Sequence, residues 1–246
     1  MTYCVAVSVD EGLVLLSDSR TNAGVDRIST FRKMTLFEAP GQCAAVIMGS
    51  GNLSVTQSVI GRLQEQLASE QHSLLRQKSM ADVAFEVCEA VREVYRRDAE
   101  SLRIHGLDFN PEFIVGGAVR GEPTRLFHVY AAGNFIESTD ETRYFQIGET
   151  KYGKPIIDRV IHADTGVAAA AKCLLVSMDS TLRSNLTVGM PLDLAILRNG
   201  EQRITLRRTI AEDDPYWVLI RDGWGAALRE VFHALPDLPL PAVAGN

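Results

Sequence analysis

Apolar side chains stand at every second position near the start of the chain. This two-residue period between residues 3 and 9 is typical of a β-strand. The segment 10–12, Asp-Glu-Gly, predicts a tight turn, and the apolar run at 13–16 predicts a buried strand that returns beside the first. We therefore expect a β-hairpin that ends near residues 17–20.

Apolar residues with helical spacing predict two long helices. The first is expected to start after Gly51 or Asn52 and to reach about Glu70, with Asn52 as a suitable N-cap. The second is expected from about Met80 to Ile104 and to stop at residues 105–106, His-Gly. The expected buried positions are Leu53, Val59, Ile60, Leu63 and Leu67 in the first helix, and Val83, Val87, Val91, Val94 and Tyr95 in the second.

Further short apolar runs predict strands along the rest of the chain. These runs are residues 33–37, 42–48, 113–118, 124–130, 143–147, 192–197 and 203–206. Asn199-Gly200 is a strong signal for a hairpin between the last two runs. Thr165 is expected to cap a helix that continues through Met178, and Asp213-Asp214 before Pro215 indicates another helix N-terminus.

The order of these elements predicts an α+β fold, a four-layer αββα sandwich of two antiparallel sheets between helix layers. The chain of 246 residues, 46% of them hydrophobic, suits one domain over residues 1–246 with a Pro-rich tail at 236–246. A net charge of −6 argues against nucleic-acid binding, because such binding depends on basic patches. The sequence has no apolar run long enough to span a membrane and no secretion signal, so we expect a cytoplasmic protein.

No motif in the sequence indicates a metal or a cofactor. The five His residues lack metal-binding spacing, and the Gly-Ser-Gly segment at 49–51 lacks the Lys-Ser/Thr ending of a phosphate loop. The four Cys residues are far apart in the sequence, which is typical of reduced, buried cysteines in a cytosolic protein. We therefore expect no metal, cofactor, nucleic acid or membrane among the partners.

Thr2 combines two reactive groups if Met1 is removed. Its hydroxyl would then lie beside a free α-amine, which titrates near about pH 8 and is able to act as the base for that hydroxyl. The predicted hairpin brings Asp18 beside the first strand, and the strand after Lys33 is expected to place that lysine next to Asp18. A buried lysine needs such a carboxylate. This trio fits a nucleophile with charged support, although a structural Asp18–Lys33 ion pair is the alternative.

These residues resemble a known group. The opening threonine, the segment 17–20 (Ser-Asp-Ser-Arg), Lys33 and the segment 48–52 (Met-Gly-Ser-Gly-Asn) are similar to those of a proteasome-type β subunit, an N-terminal-nucleophile hydrolase. The length and the later segments most resemble the bacterial Anbu branch. The resemblance implies that Thr2 is nucleophile and base, that Asp18 and Lys33 support it, and that the Gly49 N–H forms the oxyanion hole.

The resemblance also implies residues around the amine and the substrate. Asp179 and Ser184 resemble the Asp and Ser that surround the free amine, with a longer spacing than usual, and Glu149 replaces a small residue of that shell. A peptide substrate is expected to lie extended between residues 20–22 and the Gly49 loop. The expected substrate-binding residues are Arg20, Thr21, Asn22 and Ile47.

The implied activity is that of a threonine peptidase working as a homo-oligomer. Family members enclose or line a chamber, which implies self-association into a ring or an open spiral through the two long helices, with an ATPase partner left unidentified. Two alternatives remain open at the level of the sequence. One is a non-catalytic structural subunit, which the strand start at Thr2 disfavours, and the other is an amidase for small or isopeptide amides.

Overall fold

The computed structural model describes residues 2–22, 28–67 and 73–239, so residues 240–246 of the predicted tail lie outside the described part. The strands are β1 (Tyr3–Val9), β2 (Gly12–Asp18), β3 (Arg20–Asn22), β4 (Ile28–Thr30), β5 (Met34–Ala39), β6 (Cys43–Ser50), β7 (Glu112–Val119), β8 (Arg125–Val129), β9 (Phe135–Glu137), β10 (Tyr144–Gly148), β11 (Leu192–Arg198) and β12 (Leu206–Ile210). The helices are α1 (Leu53–Leu67), α2 (Met80–Ile104), α3 (Lys154–Val160), α4 (Val167–Ser184) and α5 (Pro215–Ala234).

Two five-stranded antiparallel sheets form the centre of the fold. The first has the order β10-β1-β2-β11-β12, and the second has the order β5-β6-β7-β8-β9. The strands β3 and β4 form a separate two-stranded ribbon. The predicted α+β fold with two antiparallel sheets is therefore confirmed.

Three clusters of buried side chains divide the molecule into layers. One lies between the second sheet and helices α1 and α2, and another lies between the first sheet and helices α3, α4 and α5. The third lies between the two sheets and includes Cys4, Leu15, Met48 and Ile114. This arrangement confirms the predicted αββα sandwich and directs alternate residues of β1 either to the helices or to the space between the sheets.

The helix predictions agree with the structure at the first two helices. The second helix has the predicted bounds, and the side chain of Asn52 caps α1 by accepting a hydrogen bond from the Ser54 N–H at 3.0 Å. The N-cap prediction for Thr165 is wrong, because α4 begins after Gly166 and the Thr165 hydroxyl instead accepts from the His162 N–H. Tyr95 and Leu67 were expected on the buried faces but are 54% and 38% exposed, and the ring of Tyr95 contacts Phe109. The predicted end of the first helix near Glu70 lies outside the described residues.

The hairpin predicted at Asn199-Gly200 is present in a different form. Ile196 pairs with Leu206, so a longer loop joins β11 to β12 and residues 203–205 precede the strand. The side chain of Asn199 bonds to Thr124 and to the carbonyl of Asp10, and these bonds anchor the loop to the other hairpin turns. None of the helices in the described segments has the length and apolar character needed to span a membrane.

Candidate active site

Thr2 lines a cleft together with residues of both sheets, among them Gly148 of β10 and Thr35 of β5. It precedes β1, whose next residue Tyr3 pairs with Gly148 of β10, and the Thr2 carbonyl accepts a hydrogen bond from the Glu149 N–H at 2.7 Å. Gly148 has a φ of +83°, and a Cβ there would lie 2.0 Å from the Thr2 carbonyl oxygen. A glycine is therefore required for β10 to approach Thr2 this closely.

Asp18 and Lys33 form an ion pair beside Thr2. The Lys33 Nζ donates to Asp18 Oδ1 at 2.6 Å, and both side chains are almost completely buried. The same Oδ1 accepts from the Tyr3 N–H at 2.9 Å, while Oδ2 accepts from the Gly189 N–H at 3.2 Å. Burial raises the pKa of Asp18, and the charge and hydrogen bond of Lys33 oppose that rise.

The N–H of Gly49 is already used within the fold. It donates to the Lys33 carbonyl at 3.0 Å, because the pairing of β5 with β6 continues one residue beyond Met34–Met48. This bond corrects the expectation that Gly49 supplies the oxyanion hole. The Gly51 N–H, two residues further along, has no hydrogen-bond partner among the described residues, and Gly51 lines the same cavity as Thr2.

Among the described residues, Asp179 and Ser184 make no hydrogen bond to Thr2, contrary to the sequence prediction. Asp179 is buried and accepts from Arg183 Nε at 3.0 Å, one turn further along α4. Burial raises the pKa of Asp179, whereas Arg183 and Arg221 of α5 lower it, so Asp179 serves the packing of α4 against α5. Ser184 is exposed at the end of α4, and within the described residues neither side chain bonds to Thr2.

The polar residues that approach Thr2 instead are Glu149 and Asn185. The Asn185 Nδ2 donates to Glu149 Oε2 at 2.9 Å, and Glu149 is bonded through its backbone to Thr2. The sequence drew attention to Glu149 only as a departure from the family pattern. Nothing in the sequence around Asn185 marked it, because its role depends on a contact between the end of α4 and the end of β10.

The expected substrate-binding residues are placed as follows. The Arg20 Nη1 donates to the Leu186 carbonyl at 2.9 Å, which ties this side chain to the loop after α4. Thr21 and Asn22 continue β3, and their side chains lie outside the described part. The prediction for Ile47 is wrong, since its side chain is fully buried against α1 and α2, on the face of β6 opposite the cleft.

A cavity of about 1220 Å³ opens beside Thr2, and its wall includes Lys33, Thr35, Gly51 and Glu112. Burial raises the pKa of Glu112, whose carboxylate lies 3.8 Å from His128 Nε2. In segments 2–22, 28–67 and 73–239, no group of three His, Cys, Asp or Glu side chains is placed to bind a metal. The cavity can therefore admit an extended chain to the hydroxyl of Thr2, with charged groups on its wall.

Solved structures are similar to this chain over nearly its whole length, among them the following three. Anbu (ancestral beta-subunit) from Yersinia bercovieri is 51% identical, with a TM-score of 0.92 over 98% of this chain and 100% of that chain. The helical assembly of the Anbu complex from Pseudomonas aeruginosa is 45% identical, with a TM-score of 0.93 over 97% and 98%. Anbu from Hyphomicrobium sp. strain MC1 is 44% identical, with a TM-score of 0.89 over 97% and 100%.

No protein-family model matches the chain, and no curated protein matches it. The family assignment therefore depends on the solved structures, whose identity to this chain is high and extends over both sheets and their helices. The two-sheet fold and the placement of Thr2 beside Asp18 and Lys33 agree with the assignment. This chain belongs to the Anbu family of bacterial proteasome homologues.

Proposed function

We propose that this chain is a threonine peptidase or amide hydrolase, in which Thr2 is the nucleophile and its α-amine is the base once Met1 has been removed. The observation that carries the proposal is the buried Asp18–Lys33 pair, which is bonded to the backbone next to Thr2. A buried ion pair is costly unless it is well hydrogen-bonded. Here the pair adjoins Thr2, whose hydroxyl needs a charged neighbour in order to react. The pair is the charged support expected for a reactive hydroxyl.

The reaction follows from these groups. The α-amine takes the proton from the Thr2 hydroxyl, directly or through a water, while Oγ1 forms a bond to the carbonyl carbon of the substrate. The C–N bond then breaks, the leaving amine takes the proton, and an ester to Thr2 remains. Water, activated by the same amine, attacks the ester, releases the acid and restores the hydroxyl.

Two further groups support this reaction. The positive charge of Lys33 stabilises negative charge that develops on Thr2 Oγ1 and on the substrate. The Gly51 N–H replaces Gly49 in the proposal as the donor to the oxyanion, because the Gly49 N–H is bonded to Lys33. One such donor contributes about 3 kcal/mol to transition-state stabilisation.

The test combines intact mass with a covalent probe. Protein purified from its native cell is expected to lack Met1 and to gain one adduct from a β-lactone that acylates N-terminal threonine. Thr2→Ala, which also permits Met1 removal, is expected to gain none, whereas Thr2→Ser is expected to be acylated. A native protein that retains Met1 would contradict the mechanism and would favour the non-catalytic subunit.

We also propose that the chain self-associates, as the Pseudomonas aeruginosa relative does in its helical assembly. Large apolar side chains are exposed on and after α5, where solvent contact is unfavourable. They are Leu219, Leu228, Val231, Phe232, Leu235 and Leu238. This position differs from the two long helices expected from the sequence. Light scattering coupled to size exclusion is expected to give an oligomer, and Val231→Asp with Phe232→Asp is expected to give smaller species.

A further inference from the structure

Glu149 lies next to Thr2 at the end of the β1–β10 pairing. Tyr3 with Gly148 is the last pair of the antiparallel β1–β10 ladder, and one residue beyond it the Glu149 N–H donates to the Thr2 carbonyl at 2.7 Å. This backbone bond places the two residues side by side. A glutamate side chain is long enough to reach the main-chain nitrogen of Thr2 from that position.

Asn185 fixes the orientation of this carboxylate. Its Nδ2 donates to Glu149 Oε2, while its Oδ1 accepts from the Thr187 N–H at 3.0 Å and from the Thr187 hydroxyl at 2.6 Å. The two bonds to Oδ1 determine which end of the amide faces Glu149. The Glu149 Oε1 has no hydrogen-bond partner among the described residues, so it remains available to a donor near Thr2.

The same loop joins Glu149 to the ion pair. Four residues after Asn185, the Gly189 N–H donates to Asp18 Oδ2, and the Gly189 carbonyl accepts from the Ser19 N–H at 3.3 Å. Asn185 is nearly buried, and a Cβ on Gly189 would collide with the side chain of Arg20. The loop is therefore packed on both sides and holds the two carboxylates at fixed positions around Thr2.

We infer that Glu149 is a positioning residue that acts as counter-ion to the α-ammonium group of a processed Thr2 and so sets the pH range in which that amine can act as a base. The inference rests on the proposed function, because it requires the free amine. Among the described residues, the charged or titratable groups around Thr2 and its cavity are Asp18 on β2, Arg20 on β3, Arg32 and Lys33 before β5, Asp108 before β7, Glu112 on β7, Tyr130 after β8, Cys4 on β1 and Glu149 after β10.

The sign of the effect follows from these charges. Lys33 neutralises Asp18, and Arg20 is bonded to the Leu186 carbonyl. Glu149, whose backbone is bonded to Thr2, has no cationic partner among the described residues. A carboxylate within about 4–6 Å of an amine raises the pKa of that amine by about one unit or more. The amine is then protonated over more of the neutral range, and the enzyme is expected to gain activity as the pH rises.

The experiment titrates the α-amine directly. The processed N-terminus is produced by cleaving an N-terminal fusion immediately before Thr2, so the titration does not depend on Met1 removal in the cell. Threonine labelled with ¹⁵N and ¹³C reports the α-amine pKa by NMR, and the rate of β-lactone acylation is measured over the same pH range. Glu149→Gln is expected to lower the α-amine pKa by about one unit and to raise acylation at pH 7 roughly tenfold.

Matched variants separate this role from a structural one. Glu149→Asp keeps the charge and is expected to keep the raised pKa, while Glu137→Gln, on edge strand β9, removes a remote exposed carboxylate and is expected to change neither readout. An α-amine pKa equal in Glu149→Gln and the parent protein would overturn the inference. Absence of acylation at every pH would instead reject the proposed function, since the NMR titration still reports on Glu149.

Discussion

Replacing Lys33 by Met leaves the carboxylate of Asp18 buried without its cationic partner. The Lys33 side chain is 6% exposed and that of Asp18 is fully buried, so water cannot replace the lost charge. Removing one partner of a buried ion pair typically costs about 3–5 kcal/mol of unfolding free energy. Asp18 keeps the bonds from the Tyr3 and Gly189 N–H groups, so we expect the lower end of that range, about 3 kcal/mol.

The loss of stability should depend on pH. Burial raises the pKa of Asp18 in the folded protein, and without Lys33 nothing of comparable strength opposes that rise. A carboxyl group with a raised folded pKa stabilises the fold below its unfolded pKa and loses this contribution as the pH rises through its folded pKa. The destabilisation by Lys33→Met should therefore be smaller near pH 4 than at pH 8, by about 1.4 kcal/mol for each unit of additional pKa rise.

Urea unfolding followed by circular dichroism measures this effect. The protomer concentration must be held constant, because self-association adds to the apparent stability. Lys154→Met is the matched control, since the Lys154–Asp158 pair is largely exposed and should contribute less than about 1 kcal/mol. A loss below about 1 kcal/mol for Lys33→Met, or an equal loss at pH 4 and pH 8, would refute this account of the buried pair.

Three further predictions concern groups near Thr2. Gly51→Ala should cost about 2 kcal/mol in urea unfolding and slow β-lactone acylation, because φ is +98° and a Cβ would lie 2.1 Å from the Asn110 carbonyl; unchanged stability would contradict this geometry. The Cys4 thiol, whose pKa burial raises, should react with iodoacetamide at pH 8 only after unfolding. Tyr3→Phe should lower stability by about 1–2 kcal/mol in the same assay, because the buried Ser177 hydroxyl loses its partner.

The sequence predicted those parts of the fold that depend on local periodicity. The bounds of α2 were correct because its apolar stripe, the Ser79 cap and the Gly106 stop all agree along the chain. The hairpin at Asn199-Gly200 was predicted too short because the Asn199 side chain bonds to Thr124, which lies far away in the sequence. The short helix α3 was missed, since seven residues give too little periodicity to detect.

The candidate site also contains contacts that the sequence could predict and contacts that it could not. The contact between Asp18 and Lys33 was predicted from a strand at 33–37 lying beside the first hairpin, but β5 belongs to the other sheet, so the ion pair instead joins the end of β2 to the residue before β5 across the two sheets. The surroundings of Ile47 and Asp179 could not be predicted. In this fold a side chain can be buried either between the sheets or under the helices, and apolar neighbours in the sequence do not distinguish the two places. Only the packing of the two sheets determines which residues reach the cleft.

The two carboxylates near Thr2 show that the residue types of the site do not by themselves determine its chemistry. Asp18 is fully buried and neutralised by Lys33, and in the proposed mechanism it holds that positive charge beside the hydroxyl. Glu149 is only partly buried and is held by a neutral amide, so its negative charge is left to act on the amine. This difference follows from the pairing of β1 with β10, which brings Glu149 next to Thr2. The same pairing requires Gly148, and this glycine immediately before Glu149 is a local sequence signal of the contact. A small residue at position 149 would leave the amine free of that charge, and the pH dependence of acylation would then follow the unperturbed amine near about pH 8.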